Sequence, residues 1–219
     1  MQKFTFALIA LATIVATGSV CAADKLPPKP HGAEIAFVSQ IQTDLMARFP
    51  TAADAQRAGY FRYTNEDSTG SISYANLHWT SADPSQPSQL WYDANGNLLG
   101  ADFSQPYATK PPALWGVDPA RWGPFREHVH FVYTDATGKI VYGRATSAKA
   151  FVAAGGNLAD PQAATLVKMG LVPNAAAVSQ VFDFPRIWDL IVWVKPNPNG
   201  AFADMNPLVK PTSNASHGM

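Results

Sequence analysis

The sequence predicts an α+β fold built on a largely antiparallel β-sheet. An early stretch has apolar residues at helical spacing, and the middle of the chain alternates apolar and polar residues around short turns. A pair of short helical segments then comes before the last strands. Helices and hairpins in separate parts of a chain are typical of α+β proteins. No internal repeat is present, so we expect one domain.

Two helices are predicted at the start of the domain. The first covers residues 34–49, where apolar residues recur every three or four positions and are followed by a proline. These apolar residues are Ile35, Val38, Ile41, Leu45 and Phe49. Thr51, with Asp54 three positions later, has the pattern of an N-terminal cap. It predicts a second, short helix that ends at Gly59.

Three β-hairpins are predicted in the middle of the chain. Each consists of two short alternating segments around a turn-rich sequence. The paired segments are residues 61–63 with 71–79, 89–92 with 98–103, and 127–134 with 139–146. The second hairpin contains Asn95-Gly96, which is the strongest short signal for a tight turn between two strands.

The last part of the domain combines helices and strands. Short helices are predicted over residues 148–154, after a capping serine, and over 161–169, after an aspartate and with a proline in the first helical position. Glycines follow both helices. Strands are predicted over 178–184 and 188–195. Residues 105–123, rich in proline and tryptophan, are predicted to form an ordered loop.

The N-terminus predicts export. Lys3 provides a positive start, residues 4–15 are apolar and uncharged, and small residues precede a cleavage point near Ala22 or Ala23. About a dozen apolar residues are too few to cross a bilayer of roughly 30 Å. Acylation of Cys21, as in a lipoprotein, is the alternative, although the residues before it fit that pattern poorly. We therefore expect a periplasmic or secreted protein.

The chain is predicted to divide into a signal peptide (1–23), an extended lead-in (24–33), a globular domain (34–209) and a flexible tail (210–219). Cys21 is the only cysteine, so the cleaved protein has no disulfide and its core must hold it together. The formal net charge is zero and no basic patch is present. These features argue against nucleic acid or an anionic membrane as a partner.

The candidate metal ligands are histidines. His128 and His130 are two positions apart in a predicted strand, so both imidazoles lie on one face, opposite an apolar face. That face is either exposed or covered by a loop. Such a pair can bind Zn, Cu or Fe when another element provides a third ligand. His78 is the best candidate for it, with Asp102 and Asp189 as weaker ones. The alternative is that the histidines are structural.

The candidate pocket residues are Trp115, Trp122 and Asp102. Both tryptophans lie in the proline-rich loop just before the histidine strand, where they can close over a site. The alternative is that they anchor the loop to the core. No serine-nucleophile motif, Walker motif or dinucleotide glycine motif is present, and no cysteine remains after cleavage.

Several short motifs resemble a family of exported bacterial proteins to which no activity is assigned. They are Ala-Gly-Tyr at 58–60, Ser-Tyr-Ala-Asn at 73–76, Pro-Ser-Gln-Leu-Trp-Tyr-Asp at 87–93, Gly-Asn-Leu-Leu-Gly-Ala-Asp at 96–102, Trp-Asp-Leu-Ile-Val-Trp-Val at 188–194 and Asn-Pro-Asn-Gly-Ala-Phe-Ala-Asp-Met-Asn-Pro at 197–207. Similar proteins carry one histidine early and one in the late strand. Here Ile191 stands at the late position. The resemblance implies one α+β domain and no particular chemistry.

Three functions are consistent with these observations. The first is an exported binding protein that holds a transition metal on its histidines. The second is a metal-dependent hydrolase or oxygenase that uses the same histidines and an open coordination position. The third is a domain that binds a small molecule or a protein without metal. We favour the first. An open coordination position with an acid or base nearby would separate the enzyme from the binding protein, and no sequence feature fixes that.

Overall fold

A computed structural model describes residues 29–212 as four α-helices and nine β-strands in antiparallel sheets, which confirms the predicted α+β class. The helices are α1 (Ala33–Arg48), α2 (Ala52–Arg57), α3 (Ala148–Ala153) and α4 (Ala163–Lys168). The strands are β1 (Phe61–Arg62), β2 (Ile72–Ala75), β3 (Gln89–Tyr92), β4 (Leu98–Pro106), β5 (Gly123–Phe125), β6 (His128–Thr134), β7 (Ile140–Ser147), β8 (Val178–Phe184) and β9 (Ile187–Trp193). The predicted signal peptide and residues 213–219 of the predicted tail lie outside the described residues.

The strands form two sheets. The larger has the order β1-β2-β3-β4-β9-β5, and the smaller has the order β7-β6-β8. All three predicted hairpins form, as β1–β2, β3–β4 and β6–β7. Strand β5, which was not predicted, begins at the last residue of the predicted loop, Gly123, and pairs with β9. Pro124 argues against a strand at this point of the sequence. An edge strand nevertheless tolerates proline, because its missing amide hydrogen is not needed on the outer side of the sheet. No helix within residues 29–212 is long and apolar enough to cross a membrane.

Helix α1 packs against one face of the six-stranded sheet. The buried side chains of that interface include Val38, Ile41 and Leu45 from the helix and Leu90 and Phe103 from the sheet. The prediction that Ile35 joins this stripe is wrong, because its side chain is 58% exposed. The buried stripe includes the fully buried Glu34 instead. Successive side chains of a helix are about 100° apart around its axis, so the side chain of Ile35 points away from the sheet.

Two predicted boundaries differ from the observed ones. Strand β2 ends at Ala75, so His78 and Trp79 lie in the connection after it rather than in the strand. Helix α4 begins at Ala163, two residues later than predicted, because Gln162 still has extended backbone angles. In both cases the regular segment is shorter than its residue pattern indicates.

The three-stranded sheet is covered on both faces. On one face, Val129 and Phe131 pack against Phe151 of α3 and Leu166 of α4. The other face carries His130 and Val132, and Val132 packs with aromatic side chains from the β1–β2 region. The second face is therefore an interface between the two sheets, and the histidine pair lies in it.

Candidate functional site

The Nε2 atoms of His128 and His130 are 2.8 Å apart, at hydrogen-bonding distance. The prediction that both imidazoles lie on one face of the strand is confirmed. Nδ1 of His128 is 2.7 Å from the carbonyl oxygen of Arg126. Because a carbonyl oxygen only accepts, this Nδ1 carries a hydrogen. In neutral His128, Nε2 is then bare, so His130 donates its own Nε2–H to it.

Aromatic rings hold both imidazoles in place. The ring of His130 lies edge-to-face with Tyr63 at 4.9 Å and stacks on Phe182 at 5.5 Å between centroids. The ring of His128 stacks on Phe184 at 4.7 Å, and Trp79 lies 4.5 Å from that same phenyl ring. The pair therefore belongs to an aromatic layer between the sheets rather than to an open face.

Burial keeps both histidines neutral. It lowers the pKa of His130 to about 3, with a further contribution from His128, and it lowers the pKa of His128 as well. The backbone of Arg144 raises the pKa of His130, but by less than burial lowers it. Even so, Nδ1 of His130 has no hydrogen-bond partner among the described residues. One buried imidazole nitrogen is thus a free acceptor.

His78 does not join the pair. Its side chain is exposed, and its backbone N–H donates to the Asn76 side chain. Within residues 29–212 no three His, Cys, Asp or Glu side chains lie close enough together to hold a metal ion. The described chain therefore provides two imidazole ligands at this point, and the predicted third ligand is not brought to them.

The two aspartates named as weaker ligands lie next to each other. Ser104 of β4 is directly opposite Asp189 of β9. Asp102 is two residues before Ser104, so its side chain lies on the same face of the sheet, diagonally across from Asp189. Oδ2 of Asp102 accepts from Nε1 of Trp91 at 2.8 Å, and Oδ1 of Asp189 accepts from the Ser104 hydroxyl at 3.1 Å. The two carboxyl groups also influence each other's pKa, as expected for neighbours on one face.

Burial disfavours the charged form of both carboxyl groups. Burial raises the pKa of both, and the charge of Asp189 raises that of Asp102 further. No Lys or Arg in the described part of the chain forms an ion pair with either aspartate. Two buried carboxylates at contact cannot both ionise without such compensation. Burial therefore favours the neutral form of Asp102.

The carboxyl pair and the histidine pair lie on either side of Tyr63. Its ring contacts His130, and its hydroxyl donates to Gln89, which is directly opposite Asp102 in the β3–β4 ladder. Burial raises the pKa of Tyr63 above its usual range. Tyr63 therefore remains protonated and acts as a hydrogen-bond donor.

The predicted pocket of Trp115, Trp122 and Asp102 does not assemble. The two tryptophan rings are 5.7 Å apart, and Trp115 also stacks on Phe37 of α1 at 5.5 Å. Both belong to the core under the helix, as does Phe103. Because side chains alternate along a strand, Asp102 points to the opposite face from Phe103. The tryptophans anchor the loop, which was the alternative interpretation.

The pairing of Asp102 with Asp189 was not predicted, although the sequence contains a signal for it. Each is the single acidic residue in an otherwise apolar strand, within Leu-Gly-Ala-Asp-Phe and Ile-Trp-Asp-Leu-Ile. An isolated charge in a buried strand needs a partner. The sequence does not say which strand provides it.

Comparison with known proteins yields no matching family model and no similar curated protein or solved structure. The resemblance to exported bacterial proteins stays a prediction. The functional argument therefore depends on the geometry of the two side-chain pairs.

Proposed function

We propose that this protein is an exported binding protein that holds one divalent transition-metal ion between Nε2 of His128 and Nε2 of His130. The separation of these atoms, 2.8 Å, carries the proposal. Imidazole nitrogens bind such ions at about 2.0–2.1 Å, so two ligands at a right angle around the metal are about 2.9 Å apart. The side chains already stand at nearly this distance.

The same distance favours some metals over others. Tetrahedral coordination, which Zn²⁺ prefers in structural sites, requires about 3.3–3.4 Å between nitrogens at the same bond length. Square-planar or tetragonal ions such as Cu²⁺ and Ni²⁺ place neighbouring ligands at right angles. Since stacked rings restrict both imidazoles, we infer that Cu²⁺ fits this pair better than Zn²⁺ or Fe²⁺ does.

The surroundings of the imidazoles also suit a metal site. His128 donates from Nδ1 to the Arg126 carbonyl, which is the outer contact that commonly orients a metal-binding histidine. The hydrogen on Nε2 of His130 must leave before metal binds. Its free Nδ1, next to the Arg144 backbone, can take up that hydrogen. Metal binding at this pair then requires a change of tautomer and no net loss of a proton.

Binding is preferred to catalysis for this site. The remaining coordination positions would be filled by water or a small anion, as they also would be in a metal-dependent hydrolase or oxygenase. An enzyme of that kind also needs an acid or base at the metal. Within residues 29–212, no carboxylate is hydrogen-bonded to a ring nitrogen of His128 or His130, whose contacts include each other and the Arg126 carbonyl.

Titration calorimetry with Cu²⁺ on the full chain, without a histidine tag, tests this proposal. We expect one Cu²⁺ per chain in the wild-type protein. His128→Ala and His130→Ala should lose that binding, whereas the matched control His78→Ala should keep it, because His78 is exposed and forms no three-ligand cluster with the pair among the described residues. Equal uptake by the wild-type protein and His128→Ala would overturn the proposal, as would no saturable uptake by the wild-type protein.

A further inference from the structure

An open cavity of about 490 Å³ lies along helix α1. Side chains at the three- and four-residue spacing of one helix face form the first wall, and they are Ile35, Val38, Ser39 and Gln42. Lys29, Pro30 and residues of the loop 197–201 after β9 form the rest. Small-molecule sites have volumes of about 300–1,000 Å³, so this cavity has a suitable size.

Hydrogen bonds within the protein hold the walls of the cavity in place. The N–H of Trp193 donates to the Ala201 carbonyl at 2.8 Å, which ties the loop to the end of β9. Nδ2 of Asn197 donates to the Met205 carbonyl at 3.1 Å, and Nε2 of Gln42 donates to the Trp193 carbonyl at 3.0 Å. The cavity is therefore formed before any ligand arrives, which reduces the ordering that binding requires.

The lining of the cavity is mainly aliphatic. Ile35, which the sequence predicts to be in the core, lines it instead and is 58% exposed. Pro30, Val38, Pro198 and Ala201 add further apolar surface. A large apolar side chain exposed in a concave wall is typical of a binding surface. No aromatic side chain lines the cavity among the described residues, so an aliphatic ligand suits it better than a flat aromatic one.

Lys29 gives the cavity a single positive charge. No other charged side chain lines it among the described residues, and Lys29 is exposed and forms no ion pair within residues 29–212. Glu34, the residue next to Ile35, is buried and paired with Arg121, so it does not neutralise this lysine. A lysine is a compact point charge, whereas phosphate groups are commonly held by the fork of an arginine. One lysine therefore favours a ligand with one negative charge.

We propose that this cavity binds a small aliphatic monocarboxylate, with the carboxylate at Lys29 and the hydrocarbon chain along the α1 face from Ile35 to Gln42. These two helix positions are about 10 Å apart along the axis at the usual rise of an α-helix, which leaves room for a chain of medium length such as that of octanoate. No histidine lines the cavity among the described residues, so this site is separate from the histidine pair.

Titration calorimetry of octanoate into the full chain, without added metal, tests the proposal. One octanoate should bind per chain, and octylammonium, which has the same chain length and the opposite charge, should bind at least about tenfold more weakly. Lys29→Gln should weaken octanoate binding by roughly two- to fivefold, as expected for an exposed charge pair. Lys149→Gln, at an exposed position of α3, is its matched control and should bind like the wild-type protein.

Two variants of α1 test the apolar wall. Ile35→Asp should weaken octanoate binding by at least about tenfold, because it replaces apolar surface with a charge that repels the carboxylate. Met46→Asp is the matched control and should keep binding, since Met46 is 50% exposed on the same helix and does not line the cavity. Both positions are exposed, so neither change disturbs the core.

Three results would overturn the proposal. They are no saturable heat with the wild-type protein, equal affinity for octanoate and octylammonium, and equal affinity of Ile35→Asp and Met46→Asp for octanoate. His128→Ala should keep octanoate binding in full. Failure of the carboxylate site and failure of the metal site are therefore told apart by the same set of variants.

Discussion

His130 donates a hydrogen bond from Nε2 to Nε2 of His128, across 2.8 Å. The direction of this bond follows from a contact on the far side of the pair, where the Arg126 carbonyl takes the hydrogen of His128 Nδ1. A backbone oxygen thus determines the tautomers of two side chains. It leaves the buried Nδ1 of His130 as a bare acceptor.

The two histidines should therefore show opposite tautomers in the metal-free protein. Long-range ¹H–¹⁵N spectra at pH 7 should show His128 with its hydrogen on Nδ1 and His130 with its hydrogen on Nε2. The exposed His78 provides an internal reference and should give averaged shifts. A spectrum with the His130 hydrogen on Nδ1 would contradict the assignment and would leave two lone pairs facing each other.

His130→Ala should destabilise the protein by roughly 2–4 kcal/mol, because it removes a buried ring and leaves a cavity. The residue is only 4% exposed, and its ring packs against Tyr63 and Phe182. His78→Ala is the matched control and should change the free energy of unfolding by less than about 0.5 kcal/mol. Urea denaturation of both variants measures the difference. Equal effects would mean that the aromatic layer is not packed as described.

Asp102→Asn should become more stable relative to the wild-type protein as the pH rises. Burial holds a proton on Asp102 in the folded protein, whereas an unfolded aspartate loses it near pH 3.9. At Asp102 the folded wild-type protein therefore binds one more proton than the unfolded chain, and this contribution lowers its stability as the pH rises. An amide does not titrate, and it can still accept from Trp91 and donate to Asp189.

The difference in unfolding free energy between Asp102→Asn and the wild-type protein should grow by up to about 1.4 kcal/mol per pH unit above pH 4. Denaturation at several pH values, in a buffer free of divalent cations, measures this slope. Groups other than Asp189, whose pKa depends on Asp102, titrate alike in both proteins and cancel in the difference. A difference that does not change with pH would show that Asp102 is ionised in the folded state.

Gly156→Ala should cost roughly 1–3 kcal/mol because it overpacks the core. A Cβ atom at this position would lie 2.2 Å from the ring of Phe151, which is fully buried and cannot move aside. Gly123→Ala is the matched control, since its Cβ meets nothing within 4 Å and its stability should hardly change. Thermal unfolding measures the stability of both variants against the wild-type protein. A tolerated Gly156→Ala would contradict the packing of Phe151.

Glu34→Gln should destabilise the protein by about 3 kcal/mol, because it leaves the buried guanidinium of Arg121 without its counter-charge. The two side chains are 0% and 4% exposed, with 3.0 Å between Nη2 and Oε2. The exposed pair Asp44–Arg48 is the control, and Asp44→Asn should cost less than about 1 kcal/mol. Urea denaturation at low salt measures the free energy of unfolding of both variants. Equal costs would contradict the burial of the Glu34 pair.

Local chemistry was enough to predict most of the elements. The turn at Asn95-Gly96, the cap at Ser147 and the alternation around His128 and His130 each depend on neighbouring residues, and each occurs as predicted. Which side chains of the histidine strand share a face was also readable, because the twofold repeat of a strand fixes it. Predictions failed where burial depends on another element, as at Ile35.

The order of the strands was decided only by the tertiary structure. The sequence by itself indicated an exported α+β domain with two histidines on one face of a strand. It did not indicate that β9 lies between β4 and β5, which brings Asp189 beside Asp102 and opposite Gly123. Nor did it indicate that His78 stays apart from the pair. Pairing between distant strands depends on how whole faces pack together, and no short run of residues encodes that choice.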